Sequence, residues 1–85
     1  MLLYNRQEVM ALKDTHYKLH IQIGLNIMRY RKEQGLTQMQ LAELAGYSHN
    51  QIQRVETAYS APTVGLLFDV AEALDISLEK LLQIR

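Results

Sequence analysis

Between Lys18 and Gln34 the apolar residues fall at Leu19, Ile23, Ile27 and Tyr30. Steps of four, four and three put them on one stripe of an α-helix. Gly24 sits inside that stretch, where Gly costs about 1 kcal/mol against Ala. A close approach by another helix would offset the cost. Gly35 follows the last turn and predicts a left-handed C-cap. Thr37, with Gln40 three residues on, forms a capping-box pattern that opens a second helix. Its predicted inner face is Leu41, Ala42, Leu44 and Ala45, and Gly46 ends it. Ser48 and Gln51 repeat the capping-box pattern and open a third helix. There Ile52 and Val55 point inward, while His49, Asn50, Gln53 and Arg54 point elsewhere.

The joint between these two helices is Gly46-Tyr47. It is too short for antiparallel packing, so the helices must cross steeply, as in a helix-turn-helix unit. Small Ala42 and Ala45 permit close approach there, and the third helix is left protruding. Thr57 to Pro62 reads as a loop and contains the only Pro. Thr63 caps a fourth helix that reaches Leu74, with Leu66 or Leu67, Val70, Ala71 and Leu74 inward. Ser77 caps a short fifth helix with Leu78, Leu81 and Leu82, and Gln83 to Arg85 are expected to fray. Residues 1–17 show only a loose apolar pattern, with a short helix expected around Gln7 to Leu12. They are read as a partly ordered N-terminal arm preceding a folded unit over 18–85. The pattern predicts an all-α, compact five-helix domain with no strand and no internal repeat.

Composition adds exclusions. The 85 residues contain no Cys, which rules out a disulfide framework, a thiolate metal site and a cysteine nucleophile. No apolar run approaches the ~18 residues of a membrane span, so no membrane partner is expected. The start, MLLYNRQEVMALKD, is too interrupted by charge for a secretory signal, and a cytoplasmic location is expected. His16 and His20 are four residues apart, but two imidazoles without a third ligand make a poor metal site. No metal, cofactor or catalytic constellation is expected, and the chain does not read as an enzyme. Formal net charge is zero, which weighs against a strong nonspecific polyanion binder. The charge is uneven, however. Lys18, Arg29, Arg31, Lys32 and Arg54 face only Glu33, Glu43 and Glu56 in the middle of the chain. The remainder, from Thr57 on, is acidic.

The polar run of the third helix has an ordinary reading as a solvated face. The surrounding string alters that. R-x-R-K-x-x-G-L-T-Q-x-x-L-A-x-x-A-G-Y-S-x-x-x-I-x-x-V-E, then Pro, then V-A-E-A-L-D-I-S-L, resembles the Cro/phage-repressor type of helix-turn-helix regulators, the xenobiotic-response-element family. The resemblance covers Ile21 to Leu82 and implies a lambda-repressor-like fold. It implies that Ser48–Glu56 is a recognition helix in the major groove of double-stranded DNA, with base contacts from His49, Asn50, Gln53 and Arg54. The chemistry agrees: Arg pairs bidentately with guanine, and Asn or Gln with adenine. Gln38 is implied to reach a phosphate, beside the Thr37–Gln38 amides at a helix start. Tyr47, Tyr59 and Ser60 lie where loops would meet the DNA backbone, though each is also an ordinary loop residue. Arg31 and Glu56 are implied to form a partly buried ion pair.

One departure stands out. Ala58 occupies a place where the family often has Gly, so the recognition helix ends differently or runs on toward Tyr59. The expected function is a bacterial transcriptional regulator, a repressor acting as a homodimer. The expected dimer surface is the last two helices, with Phe68, Leu78 and Ile84 exposed, or else the N-terminal arm. Two other readings remain open: an antitoxin whose arm grips a protein partner, and a helical interaction module without DNA binding.

Overall fold

The computed structural model describes the backbone of residues 6–84 and the side chains of residues 16–84. It is all-helical there, with no strand among the described residues. The order is α1 (Arg6–Glu33), α2 (Gln38–Ala45), α3 (His49–Glu56), α4 (Val64–Leu74) and α5 (Leu78–Leu82). α2 packs on α3 and α4, and α1 packs on α3, α4 and α5. Ile27, Leu41, Ile52, Val70, Leu74 and Leu81 are the fully buried apolar side chains where these helices meet. Leu66 and Leu67 are both buried, so α4 faces inward on a wider arc than a single leucine would give.

α1 begins at Arg6 and not at Lys18. It runs unbroken through 28 residues, a length of about 42 Å at 1.5 Å per residue. Most of the segment read as a separate arm is therefore the first half of α1. The short helix expected at Gln7 to Leu12 is part of the same helix, while residues 1–5 lie outside the described residues. Two face assignments also change. Leu44, expected inward, is 61% exposed, while Leu41 and Ala42 are buried. Leu78, expected exposed, packs half-buried against the core, whereas Phe68 and Ile84 are exposed.

Four helices end alike. After α1, Leu36 N–H donates to Arg31 O (3.1 Å) and Gly35 N–H to Lys32 O (3.0 Å). Tyr47 closes α2 on Ala42 O, Tyr59 closes α3 on Arg54 O, and Ile76 closes α4 on Ala71 O. Each is a six-to-one closure that needs one left-handed residue before it. Gly35 (φ 71°) and Gly46 (φ 84°) supply it at no steric cost, but Ala58 (φ 59°) and Asp75 (φ 54°) also adopt it. So α3 ends at Glu56, and Ala58 carries the strain that Gly would avoid.

Gly24 faces the C-terminal end of α3. A Cβ there would lie 2.6 Å from the carbonyl oxygens of both Val55 and Glu56. Only a residue without a side chain lets α1 pass so close. Asn26, on another side of α1, is also buried, a polar residue that the apolar stripe did not single out. Its Nδ2 donates to Leu81 O (2.8 Å) and Gln83 O (2.7 Å), and its Oδ1 accepts from Gln22 (3.0 Å). The end of α5 is thus tied to α1 through Gln83, where fraying was expected.

Three substitutions test this geometry by thermal unfolding. Gly24→Ala should lower stability by about 1–3 kcal/mol, because overpacking against backbone exceeds the helix-propensity gain. Gly65→Ala, with nothing within 4 Å, should raise it by about 0.5 kcal/mol. Ala58→Gly removes about 1–2 kcal/mol of left-handed strain and adds about 0.4–1 kcal/mol of unfolded-state entropy. It should therefore raise Tm by about 4 °C; a fall in Tm would contradict the strained conformation.

Candidate nucleic-acid interface

α2 and α3 start by the same local chemistry. Thr37 Oγ1 accepts from Gln40 N–H (3.0 Å), and Gln40 Oε1 accepts from Thr37 N–H (2.8 Å). Ser48 and Gln51 repeat both bonds, at 3.1 and 2.9 Å. Each box satisfies two of the backbone donors left open at a helix start. The amide of Thr37, expected to face an anion, is therefore engaged by Gln40. The amides of Gln38 and Met39 take no part in the box.

α3 is sharply two-sided. Ile52, Val55 and Glu56 are buried, and His49, Asn50, Gln53 and Arg54 are exposed together on its outer side. The Arg54 guanidinium lies over the Tyr59 ring, 5.2 Å from its centroid, a contact that favours a planar cation. Ser60 is half-buried, its N–H donating to Arg54 O (3.1 Å). Tyr59 is the most exposed large apolar residue among the described side chains, at 77%.

Beneath that surface lies a charged pair. Arg31 Nε donates to Glu56 Oε2 (2.7 Å) and Arg31 Nη2 to Glu56 Oε1 (3.0 Å). Both residues are buried. Arg31 Nη1 also donates to Leu36 O (2.8 Å), holding the loop between α1 and α2. Gln38 Nε2 donates to Glu56 Oε1 (3.0 Å), and Gln38 Oε1 lies 3.0 Å from His49 Nε2. One continuous chain of polar contacts thus joins α1, α3 and α2 and emerges at the first residue of α3. No buried side-chain polar atom among the described residues lacks a partner.

Tyr47 is placed differently from the other loop residues. Its hydroxyl donates to Asp69 Oδ2 (2.6 Å), tying the α2–α3 turn to α4. That bond, with the Asp69 charge behind it, raises the phenol pKa above its ordinary value. The donor a phosphate would need is thereby engaged. Neither the Asp69 partnership nor the double role of Gln38 has a signal in residue spacing, since both join separate helices.

Among the described residues no cluster of three or more His, Cys, Asp or Glu side chains could hold a metal ion. No helix among them is long and apolar enough to cross a membrane.

The model of the family described as Helix-turn-helix matches residues 27–81. The chain belongs to this family. The helix-turn-helix chain is 38% identical over 66 residues to an uncharacterized HTH-type transcriptional regulator of Rickettsia conorii, covering 78% of this chain and 53% of that protein. It is 36% identical over 61 residues to the HTH-type transcriptional regulator SinR of Bacillus subtilis, covering 71% of this chain and 55% of SinR. It therefore spans about half the length of these relatives. Among solved structures it resembles the restriction-modification controller protein C.AhdI from Aeromonas hydrophila, with a TM-score of 0.71 and 27% identity over 73% of this chain and 94% of that one. The clp gene regulator ClgR from C. glutamicum gives a TM-score of 0.72 and 26% identity, over 75% and 83% of the two chains. The helix-turn-helix family to which this chain belongs is one of DNA-binding transcriptional regulators of the xenobiotic-response-element type.

The buried pair makes a direct prediction. Glu56→Ala leaves the Arg31 guanidinium buried without its carboxylate, a loss of about 3–5 kcal/mol. Glu43 is exposed on α2, so Glu43→Ala should change stability by less than about 0.5 kcal/mol. Equal melting shifts for the two variants would refute the coupling.

Proposed function

We propose that this helix-turn-helix chain is a sequence-specific, double-stranded DNA-binding repressor that reads the major groove with α3. The observation that carries the proposal is the two-sidedness of α3: His49, Asn50, Gln53 and Arg54 stand exposed, besides the capping Gln51, while its other face is fixed in the core. Arg54 pairs with guanine O6 and N7, Asn50 and Gln53 pair with adenine N6 and N7, and His49 makes one bond to a base edge. Phosphates are met by Gln38, whose amide has a second N–H beyond the one given to Glu56. The hydroxyls of Thr37, Tyr59 and Ser60 and the first amides of α2 add neutral contacts. Tyr47 joins them only by giving up Asp69. Occupying an operator represses without further machinery.

A single α3 reads a few base pairs, so the protein acts as a homodimer on half-sites about 34 Å apart. Phe68 and Ile84 of the C-terminal part, and Tyr17, Ile21 and Leu25 along α1, are exposed apolar residues for that contact. A second reading, an antitoxin that also grips a protein, draws on the α1 stripe, whose three residues recur every fourth position.

Selection of bound sequences from a random duplex pool, followed by titration at two salt concentrations, tests the proposal. Affinity should fall with salt, but shallowly, because few cations are available. Arg54→Ala should relax preference at one base pair by about tenfold, within the roughly 1–3 kcal/mol of a bidentate contact. Failure to retain any duplex at low salt would overturn it in favour of a protein-interaction module.

A further inference from the structure

The polar chain from the core to α3 has a direction. Both oxygens of Glu56 accept from the Arg31 guanidinium. A carboxylate so paired only accepts, whereas an amide carries donors on one end and an acceptor on the other. Gln38 must therefore turn its Nε2 toward Glu56 and its Oε1 toward His49. An amide oxygen has no proton to give, so the 3.0 Å contact requires His49 Nε2 to carry the hydrogen. In the neutral ring Nδ1 is then bare and accepts.

We infer that Glu56, acting through Gln38, fixes the hydrogen-bonding polarity of His49, so that this exposed residue presents an acceptor and not a donor to DNA. Glu56 and Gln38 are positioning residues here; His49 is the one that touches the base. In the major groove only cytosine N4 and adenine N6 offer donors, while guanine O6 and N7 and thymine O4 accept. The base facing His49 is accordingly cytosine or adenine. This inference rests on the proposed DNA-reading role for its consequence, but the proton's location is a property of the free protein.

Long-range nitrogen–proton correlation spectra of the full chain without DNA, at a pH near 8, read the tautomer of each neutral imidazole. There are three histidines, and the His49→Ala variant identifies the signal of His49. The expected result is the Nε2–H form for His49. Gln38→Lys supplies the inverting test. Lys is a donor only; it pairs with Glu56 and donates to His49 Nε2, moving the proton to Nδ1. Gln38→Leu removes both bonds and should return the ring to the tautomer mixture of a free imidazole in water. Finding Nδ1–H in the unaltered protein overturns the inference, and so does finding Nε2–H unchanged in Gln38→Lys.

Selection from random duplexes gives the second readout. At the base pair whose preference disappears in His49→Ala, removing the exocyclic amino group (purine for adenine, pyrimidin-2-one for cytosine) should weaken binding of the unaltered protein at least about fivefold, and removing the purine N7 acceptor with a 7-deaza base should not. Gln38→Lys should lose the sensitivity to the amino group. Binding by the unaltered protein that ignores the amino group and depends on the acceptor overturns the inference. If no duplex is retained, the DNA-reading role falls, and the tautomer spectra alone decide the polarity.

Discussion

The fold turns on one buried guanidinium. Arg31 leaves the last turn of α1 and meets, within hydrogen-bond distance, the carboxylate that closes α3 and the carbonyl of the loop leading to α2. Three elements that share no local sequence are held by three donors of one planar group. An apolar residue of similar volume would match such a pair in stability, because desolvation of both charges offsets most of their attraction. It would not fix orientation. The Nε/Nη2 fork engages the carboxylate in one arrangement, and that arrangement sets the angle at which α3 leaves the core. α3 has eight residues and would not hold its shape alone, since isolated helices shorter than about 12–15 residues are marginal. Its rigidity is tertiary.

The same end of α3 collects the other constraints. Gly24 brings α1 against the Val55 and Glu56 carbonyls, so α3 cannot slide along α1 without a clash. Ala58 accepts a left-handed conformation to turn the chain sharply, which places Tyr59 beneath the Arg54 guanidinium. A steric fit, an ion pair and a strained turn therefore act within a few residues of each other. Strain at Ala58 is tolerated because the Tyr59 and Ser60 amides both bond Arg54 O across it. The departure from Gly that left the helix end undecided in the sequence is resolved by backbone hydrogen bonds, which no residue type announces.

Local chemistry was legible from residue spacing; long-range polar contact was not, save the Arg31–Glu56 pair, which only the family resemblance implied. The two capping boxes, the left-handed Gly35 and Gly46, and the buried Ile52 and Val55 all follow from residue identity within four positions, and all are found. Leu44 was assigned inward because it is apolar, but on an eight-residue helix it stands at the edge of the buried arc centred on Leu41 and Ala42. The start of α1 leaves no mark in the sequence, because the apolar pattern before Lys18 is loose. Asn26 is hidden in the sequence for a different reason. A polar residue inside a stripe reads as a flaw until its partners, the carbonyls of Leu81 and Gln83, are seen 55 and 57 residues away. The four side chains facing outward on α3 could be picked out by subtraction, as the polar remainder of an amphipathic helix. The tie from His49 back to Glu56 could not.

That tie bears on how a protein of zero net charge would discriminate among DNA sequences. Affinity that comes from Lys and Arg is largely blind to sequence, so a strongly basic domain holds every site and must then overcome its own nonspecific binding. With zero net charge, the proposed interface relies on neutral amides, hydroxyls and one stacked guanidinium, which bind weakly wherever their partners are absent. Weak nonspecific binding raises the ratio that matters for finding an operator among many competing sites. The ratio is only as good as the rigidity of the reading groups, because a side chain free to rotate accepts either base. Fixing His49 through Gln38 to a charge in the core removes that freedom at the first position of α3, and stacking Arg54 on Tyr59 restrains it one turn later. On the proposed reading, order in this face does the work that excess charge does elsewhere.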